Sequence, residues 1–240
     1  MTGRLGGQTA LVAGGSGGIG RAVALALGRE GAGVAVVARG RRGLDAVAAE
    51  LTASGATALT VLGDAAEEAD AARAVEATLQ RFSRLDVLVT AQGSGRFGPV
   101  EASRLDDWDA MMRANLRATY LLCRAALPPM LAAGRGTIIN VVSLAALRVI
   151  PGCAAYSASK AGVLGFTRVL AEEVRGRGVR VAALCPGAVD TSLWDAIPSP
   201  PDRSRMLRPE AVAEAAVLVA TQAPGTMVEE IVLAPTPGIL

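Results

Sequence analysis

Tyr156 and Lys160 stand four residues apart in an Ala-rich stretch with helical periodicity, so both side chains lie on one helix face and can reach the same ligand. A tyrosine with its ordinary pKa of about 10 is a poor base at neutral pH, but an adjacent cation favours the phenolate and lowers that value. Such a pair can pass a proton to or from a substrate oxygen. Lys160 is the only lysine in the chain, against 23 arginines. A compact ammonium on a flexible stem fits where a planar guanidinium does not, so the exception marks a place that needs a point charge. Ser143 follows a Val/Ile-rich run and offers a hydroxyl able to hydrogen-bond a substrate oxygen; its plainer reading is a turn residue at a strand end. Asn115, one of two asparagines, lies inside a long helical stretch, where asparagine has little intrinsic reason to be unless it caps a helix.

A second group of residues points to an anion. Thr9 to Ala13 reads as a strand and runs into Gly14-Gly15-Ser16-Gly17-Gly18-Ile19-Gly20, after which an Ala/Leu-rich helix begins near Gly18. Glycines in such a strand, turn, helix arrangement let the backbone approach a pyrophosphate closely, and the free amides at the helix start stabilise its charge. Gly14, Ser16, Gly18, Ile19 and Gly20 are the candidate contacts. In a site for NAD, an acidic residue about 20 residues further on would hold the ribose 2′-hydroxyl. This chain has Ala38 and then Arg39, backed by Arg41 and Arg42. A guanidinium pairs with a 2′-phosphate, so NADP(H) is preferred and NAD(H) is the alternative.

These residues must be held by a regular frame. Valine- and isoleucine-rich runs at 9–13, 34–38, 58–62, 86–89, 137–142, 180–184 and 231–234 predict seven strands. Between them, helical periodicity spans about 18–29, 43–54, 67–82, 103–133, 155–175 and 209–221. Strict alternation implies right-handed βαβ units, and hence an α/β fold: a doubly wound, seven-stranded parallel sheet with helices on both faces, and ligands at the carboxyl ends of the strands. One domain is expected over 1–240. The Pro/Ser stretch from Ile197 to Pro201, within a substrate loop near 191–208, is a candidate lid.

Composition agrees and excludes several alternatives. Hydrophobic residues make up 51% of the chain and aromatic ones 3%, which suits a parallel sheet covered by Ala-rich helices. Net charge is +2 with both signs mixed along the chain, which predicts neither a nucleic-acid nor a membrane partner. No apolar run nears the roughly 18 residues a membrane span needs, and the first ten residues lack a hydrophobic signal segment, so a cytoplasmic protein is expected. The absence of histidine removes Ser/His and Cys/His nucleophilic machinery, and with three scattered cysteines it leaves no expected metal site or disulfide.

The glycine spacing 14, 18, 20, followed in order by Asn115, Ser143 thirteen residues before Tyr156, Lys160 and Pro186-Gly187, resembles the short-chain dehydrogenase/reductase family from Thr9 to about Thr191. That resemblance implies a Rossmann-like oxidoreductase in which Ser143 polarises a carbonyl, Tyr156 is the acid or base, and Lys160 positions the cofactor ribose. It further implies that Asn115 kinks its helix and holds a water of the proton relay. Asp64 would contact the adenine, Gly93 would lie beside the cofactor, and Pro186, Gly187 and Thr191 would close on the nicotinamide. Members are commonly homotetramers, so a homo-oligomer, tetramer or dimer, is implied.

The chain departs from the family after the fourth strand, where Asn-Asn-Ala-Gly is replaced by Thr90-Ala91-Gln92-Gly93. The family's first Asn there helps stabilise the central sheet, and Thr90 is expected to replace it in part. Ser94, Leu144, Val149, Cys153 and Trp194 are candidate pocket walls suited to an apolar or bulky carbonyl compound. The expected function is NADPH-dependent reduction of a ketone or 3-oxoacyl group. Its rivals are an NAD-dependent alcohol or polyol dehydrogenase, which Arg39 opposes, and a nucleotide-binding regulatory protein without turnover, which the intact Ser143, Tyr156 and Lys160 oppose.

Overall fold

The computed structural model describes residues 3–197, 200–223 and 225–238. Seven strands, β1 (Thr9–Ala13), β2 (Gly33–Ala38), β3 (Ala58–Leu62), β4 (Val87–Thr90), β5 (Gly136–Val141), β6 (Val179–Pro186) and β7 (Glu230–Leu233), form one sheet in the order β3-β2-β1-β4-β5-β6-β7. All neighbouring strands pair in parallel. Parallel pairing requires long crossovers, and helices supply them: α1 (Gly18–Arg29), α2 (Arg41–Ala53), α3 (Glu68–Phe82), α4 (Leu105–Met111), α5 (Ala118–Ala132), α6 (Ala154–Val174) and α7 (Pro209–Ala220). The expected doubly wound α/β architecture is therefore present, with β1 and β3 at the bounds read in the sequence and the ends of the other strands displaced by up to two residues.

Alternation along each strand feeds two cores. Ala10 and Val12 of β1 join one with Val23, Leu27, Leu44 and Val217 of α1, α2 and α7. Leu11 and Ala13 join the other with Val75, Leu122 and Leu170 of α3, α5 and α6. Because both faces are covered, all five residues of β1 are buried, which explains an unbroken apolar run in place of a polar alternation. Among the described residues, no helix is long and apolar enough to cross a membrane.

The single helix expected over 103–133 is interrupted. α4 passes into a π-helical segment, Met112–Arg117, before α5 begins. Asn115 sits fully buried in this wider turn, and its carboxamide clasps the backbone of the loop after β4: Oδ1 accepts from the Ser94 amide (2.8 Å) and Nδ2 donates to the Ser94 carbonyl (3.0 Å). Nδ2 also donates to Ser159 Oγ on α6 (2.9 Å), and the Thr119 hydroxyl donates to the Asn115 carbonyl (2.8 Å). Asparagine's poor fit to a regular helix is thus offset by side-chain bonds that pin three elements together.

Thr90 is buried at the end of β4, directly opposite Asn140 on β5. Its hydroxyl donates to Asn140 Oδ1 (2.7 Å), Asn140 Nδ2 donates to Thr167 Oγ1 (2.9 Å), and Thr167 donates to the Val163 carbonyl (2.7 Å). This chain of bonds ties β4, β5 and α6 together and leaves no member unpaired, which is the condition for a buried polar network to stabilise. Thr90 thus bridges β4 to β5 through Asn140.

β1 leads outward to β2 and β3, and the chain then returns to β4 on the other side of β1. The carboxyl ends of β1 and β4 consequently part at Ala13 and Thr90, and a crevice opens beyond them.

Candidate active site

The crevice is a cleft of about 960 Å³ running across the carboxyl ends of the strands. Gly14, Ser16, Gly18, Ile19, Arg39, Asp64, Gly93, Ser143, Tyr156, Lys160, Pro186, Gly187 and Thr191 all line it, although they come from seven separate stretches of chain. Gly20 and Asn115 stand behind its wall. Among the described residues, no cluster of three His, Cys, Asp or Glu side chains could hold a metal ion.

At one end the backbone is shaped for an anion. Gly14 has φ +72°, and a Cβ there would lie 2.7 Å from the Gln92 backbone nitrogen, so both conformation and space require glycine. The start of α1 has no side-chain cap and no acidic residue in its first turn, which leaves its amides and the positive end of its dipole facing the cleft. A pyrophosphate fits that donor set. Gly20 serves the turn from behind, since a Cβ would fall 2.3 Å from the Gly14 carbonyl oxygen. Gly20→Ala is expected to cost about 1–3 kcal/mol of stability and to weaken dinucleotide binding. Gly17→Ala, at an extended residue with nothing near its Cβ position, is expected to leave the melting temperature within about 2 °C. Thermal melts of both variants check this; equal melting temperatures would contradict the packing argument.

Arg39 follows β2 and reaches the cleft rim exposed, whereas Arg41 and Arg42 lie in the first turn of α2 and do not line it. Asp64 follows β3. Its carboxylate accepts from the Ala66 amide (3.0 Å) and pairs with Arg113 Nη1 (3.0 Å), and these bonds hold its pKa below the ordinary carboxylate value against the opposing effect of burial. Arg113 was not legible as a site residue, because its partner lies far away in sequence. Gln92 also lines the cleft: Nε2 donates to Thr119 Oγ1 (3.0 Å), while Oε1 is buried without a donor among the described residues.

At the other end, β5 delivers Ser143 and α6 delivers Tyr156 and Lys160. Ser143 Oγ accepts from the Ala145 amide (3.1 Å), so it caps the short turn Leu144–Ala146. The turn reading of this serine is thus present, and the cap leaves its O–H available to donate. Burial pushes the Tyr156 phenol up, and the Ser143 hydroxyl partly reverses that shift. Lys160 does not lower the tyrosine as their spacing predicts. Lys160 Nζ lies 6.0 Å from the centre of the Tyr156 ring and donates to the Val141 carbonyl (2.9 Å), so burial dominates the phenol. Burial likewise brings Lys160 down to about 8 and pushes the Cys153 thiol up.

Four of the five predicted pocket walls, Ser94, Leu144, Cys153 and Trp194, line the cleft. Val149 does not: it is 94% exposed, and its neighbour Ile150 turns inward instead. Phe97 was missed, although a lone aromatic in a Gly-rich loop of an aromatic-poor chain was a usable signal. Of the candidate lid, Pro198 and Ser199 lie outside the described residues, while Ile197 and Pro201 line the cleft.

The sheet and its crevice define a dinucleotide fold of the Rossmann type. The model of the short chain dehydrogenase family matches residues 8–202, and the chain belongs to that family of oxidoreductases. It is 39% identical over 229 residues to D-threitol dehydrogenase of Mycolicibacterium smegmatis, covering 92% of this chain and 88% of the relative. It is also 39% identical to 3-oxoacyl-[acyl-carrier-protein] reductase of Synechocystis, covering 89% of each. Among solved structures, a metagenomic short-chain oxidoreductase in complex with NADP superposes with a TM-score of 0.85 at 38% identity, over 97% of this chain and 99% of that one.

Proposed function

We propose that this chain is an NADP(H)-dependent reductase that converts a ketone or 3-oxoacyl group to a secondary alcohol, with Tyr156 as general acid. The observation that carries the reading is the pairing, within one cleft, of an anion-binding glycine turn and exposed Arg39 with buried Ser143 and Lys160 and the half-buried Tyr156. Gly14, Ser16, Gly18 and Ile19 would hold the pyrophosphate, Arg39 the 2′-phosphate, Asp64 and Gly93 the adenosine half, and Pro186, Gly187 and Thr191 the nicotinamide half. The bound nicotinamide supplies the hydride.

This chain's own residues then manage the oxygen. Ser143 donates to the carbonyl, a bond that strengthens as negative charge develops there. Tyr156 gives up its proton to the same oxygen, and its raised pKa suits it to carry that proton at neutral pH. Lys160 supplies the nearby positive charge, and Asn115 positions the loop at Ser94 and α6 at Ser159. The NADP complex of the solved relative and the reductase among the curated relatives support this direction. The polyol dehydrogenase relative favours the oxidative reading, against which stands Arg39 in place of a ribose-binding acid. A homo-oligomer is proposed as well, with the outward face of α5 and α6, where Tyr120 and Val169 are exposed, as the contact.

Cofactor choice is tested on Arg39→Asp, which removes a charge-assisted donor and adds repulsion. NADPH affinity is expected to fall about 100-fold, with NADH affinity changed less than about threefold, as read by cofactor fluorescence on titration. Equal losses for the two cofactors would remove Arg39 from the 2′-phosphate site.

A further inference from the structure

The chain has three Phe, two Tyr and two Trp, and three of these seven rings meet at the reacting end of the cleft. Phe97 meets Tyr156 edge to face, with centroids 5.5 Å apart, and stacks on Trp194 at 5.7 Å with the planes 24° apart. An aromatic-poor sequence has concentrated its rings beside the proposed acid.

The stack is fixed before any ligand arrives. Phe97 folds over Gly95, where a Cβ would lie 3.0 Å from the ring tip, and its loop is clasped at Ser94 by Asn115. Trp194 Nε1 donates to the Val189 carbonyl (2.9 Å), so the one polar atom of the indole is satisfied. A rigid, satisfied aromatic surface loses little freedom when a ligand stacks on it.

The other walls there are mostly apolar, Leu144, Ile150, Cys153 and Leu193, with the small polar residues Ser94 and Ser192 beside them. Asp64, the carboxylate that lines the cleft among the described residues, is paired with Arg113, and Gln92 is bonded to Thr119 through Nε2 while its Oε1 has no donor. The Arg96 side chain stands at the mouth, 58% exposed, with Nη1 donating to the Gly95 carbonyl and Nε 3.9 Å from Asp107. A substrate bearing several hydroxyls would bury them against carbon, and each unpaired hydroxyl weakens binding.

We infer that the site takes carbonyl compounds with a flat apolar substituent, aryl ketones being the defining class, and rejects polyhydroxylated ketones. This rests on the reductase reading, with the aryl group laid against the Phe97–Trp194 wall and the carbonyl directed to Ser143 and Tyr156. With NADPH, kcat/KM for acetophenone is expected to exceed that for erythrulose by about 100-fold or more. Trp194→Ala is expected to raise KM for acetophenone about tenfold, a loss several-fold larger than the one it causes for butanone. Trp194→Phe, which keeps a ring there, restores most of the acetophenone value, and Phe97→Leu gives an independent truncation of the wall should Trp194→Ala not fold.

Binding is read separately from turnover. In a Trp108→Phe background, where Trp194 is the only indole, 1-phenylethanol is expected to quench its emission saturably and erythritol to leave it unchanged. Erythrulose used as well as acetophenone, or equal losses for acetophenone and butanone in Trp194→Ala, would overturn the inference. Saturable quenching by 1-phenylethanol without turnover of any ketone would uphold the aryl site and overturn the reductase reading alone. Neither quenching nor turnover would overturn both.

Discussion

Tyr156→Phe is expected to lower kcat for ketone reduction by about 10³-fold while leaving NADPH binding within about twofold. The substitution removes one oxygen. The ring volume and the edge contact with Phe97 remain, so the wall and the fold are expected to persist. What is lost is the phenol that would deliver a proton to the alkoxide oxygen, while Lys160 aims at the Val141 carbonyl and burial pushes the Cys153 thiol up. Steady-state rates of NADPH consumption, set beside a fluorescence titration of NADPH, separate the two effects. Turnover in the variant within about tenfold of the parent would remove Tyr156 from the acid role.

Lys160→Met is expected to inactivate the protein by a comparable factor and, unusually for a buried substitution, to make it more stable at pH 7. Lys160 is 5% exposed, and its one hydrogen bond is to the Val141 carbonyl. Burial brings its pKa from the ordinary 10.5 down to about 8. At pH 7 the ammonium is charged both folded and unfolded, and the folded state bears the desolvation, worth about 3 kcal/mol for a shift of this size. Methionine fills similar space without the charge, and an unpaired Val141 carbonyl returns about 1 kcal/mol of that gain, for a net stabilisation of about 2 kcal/mol. The sign fixes the pH dependence. Between pH 8 and 10.5 the folded parent releases its proton while the unfolded chain keeps it, so the parent gains stability with rising pH and the advantage of the variant shrinks. Urea unfolding of both proteins at pH 7 and pH 10 reads this difference; a variant less stable than the parent at pH 7 would show that the ammonium is not penalised. Ketone reduction by the parent is expected to stay level through neutrality and to decline as pH rises through about 8, where Lys160 loses its charge.

Local features of this protein were legible in its sequence, and distant partnerships were not. The seven strands and the Gly14 turn could be read because apolar runs and glycines act over a few residues. Tyr156 and Lys160 could be placed on one face because a helix repeats every 3.6 residues. That spacing does not settle where a side chain aims. Lys160 turns to Val141, nineteen residues back, and burial rather than its charge dominates the Tyr156 phenol. Asn115 stood out as a misfit in its helix, but its clasp on Ser94 and its bond to Ser159 depend on how β4 and α6 approach the π-helical segment. The Asp64–Arg113 pair and the Phe97–Trp194 stack likewise join stretches of chain that meet only through the sheet. Val149 was placed in the pocket by its neighbourhood alone, and a one-residue difference in the turn put Ile150 there instead.

The most direct test of the reductase reading follows NADPH consumption by the purified protein with acetophenone and a 3-oxoacyl thioester, with the alcohol quantified in parallel. The account predicts ketone-dependent oxidation of NADPH with one alcohol formed per NADPH consumed, much slower oxidation of NADH, and loss of both signals in Tyr156→Phe. Tight NADPH binding with no carbonyl-dependent oxidation by any ketone or thioester tested would contradict it.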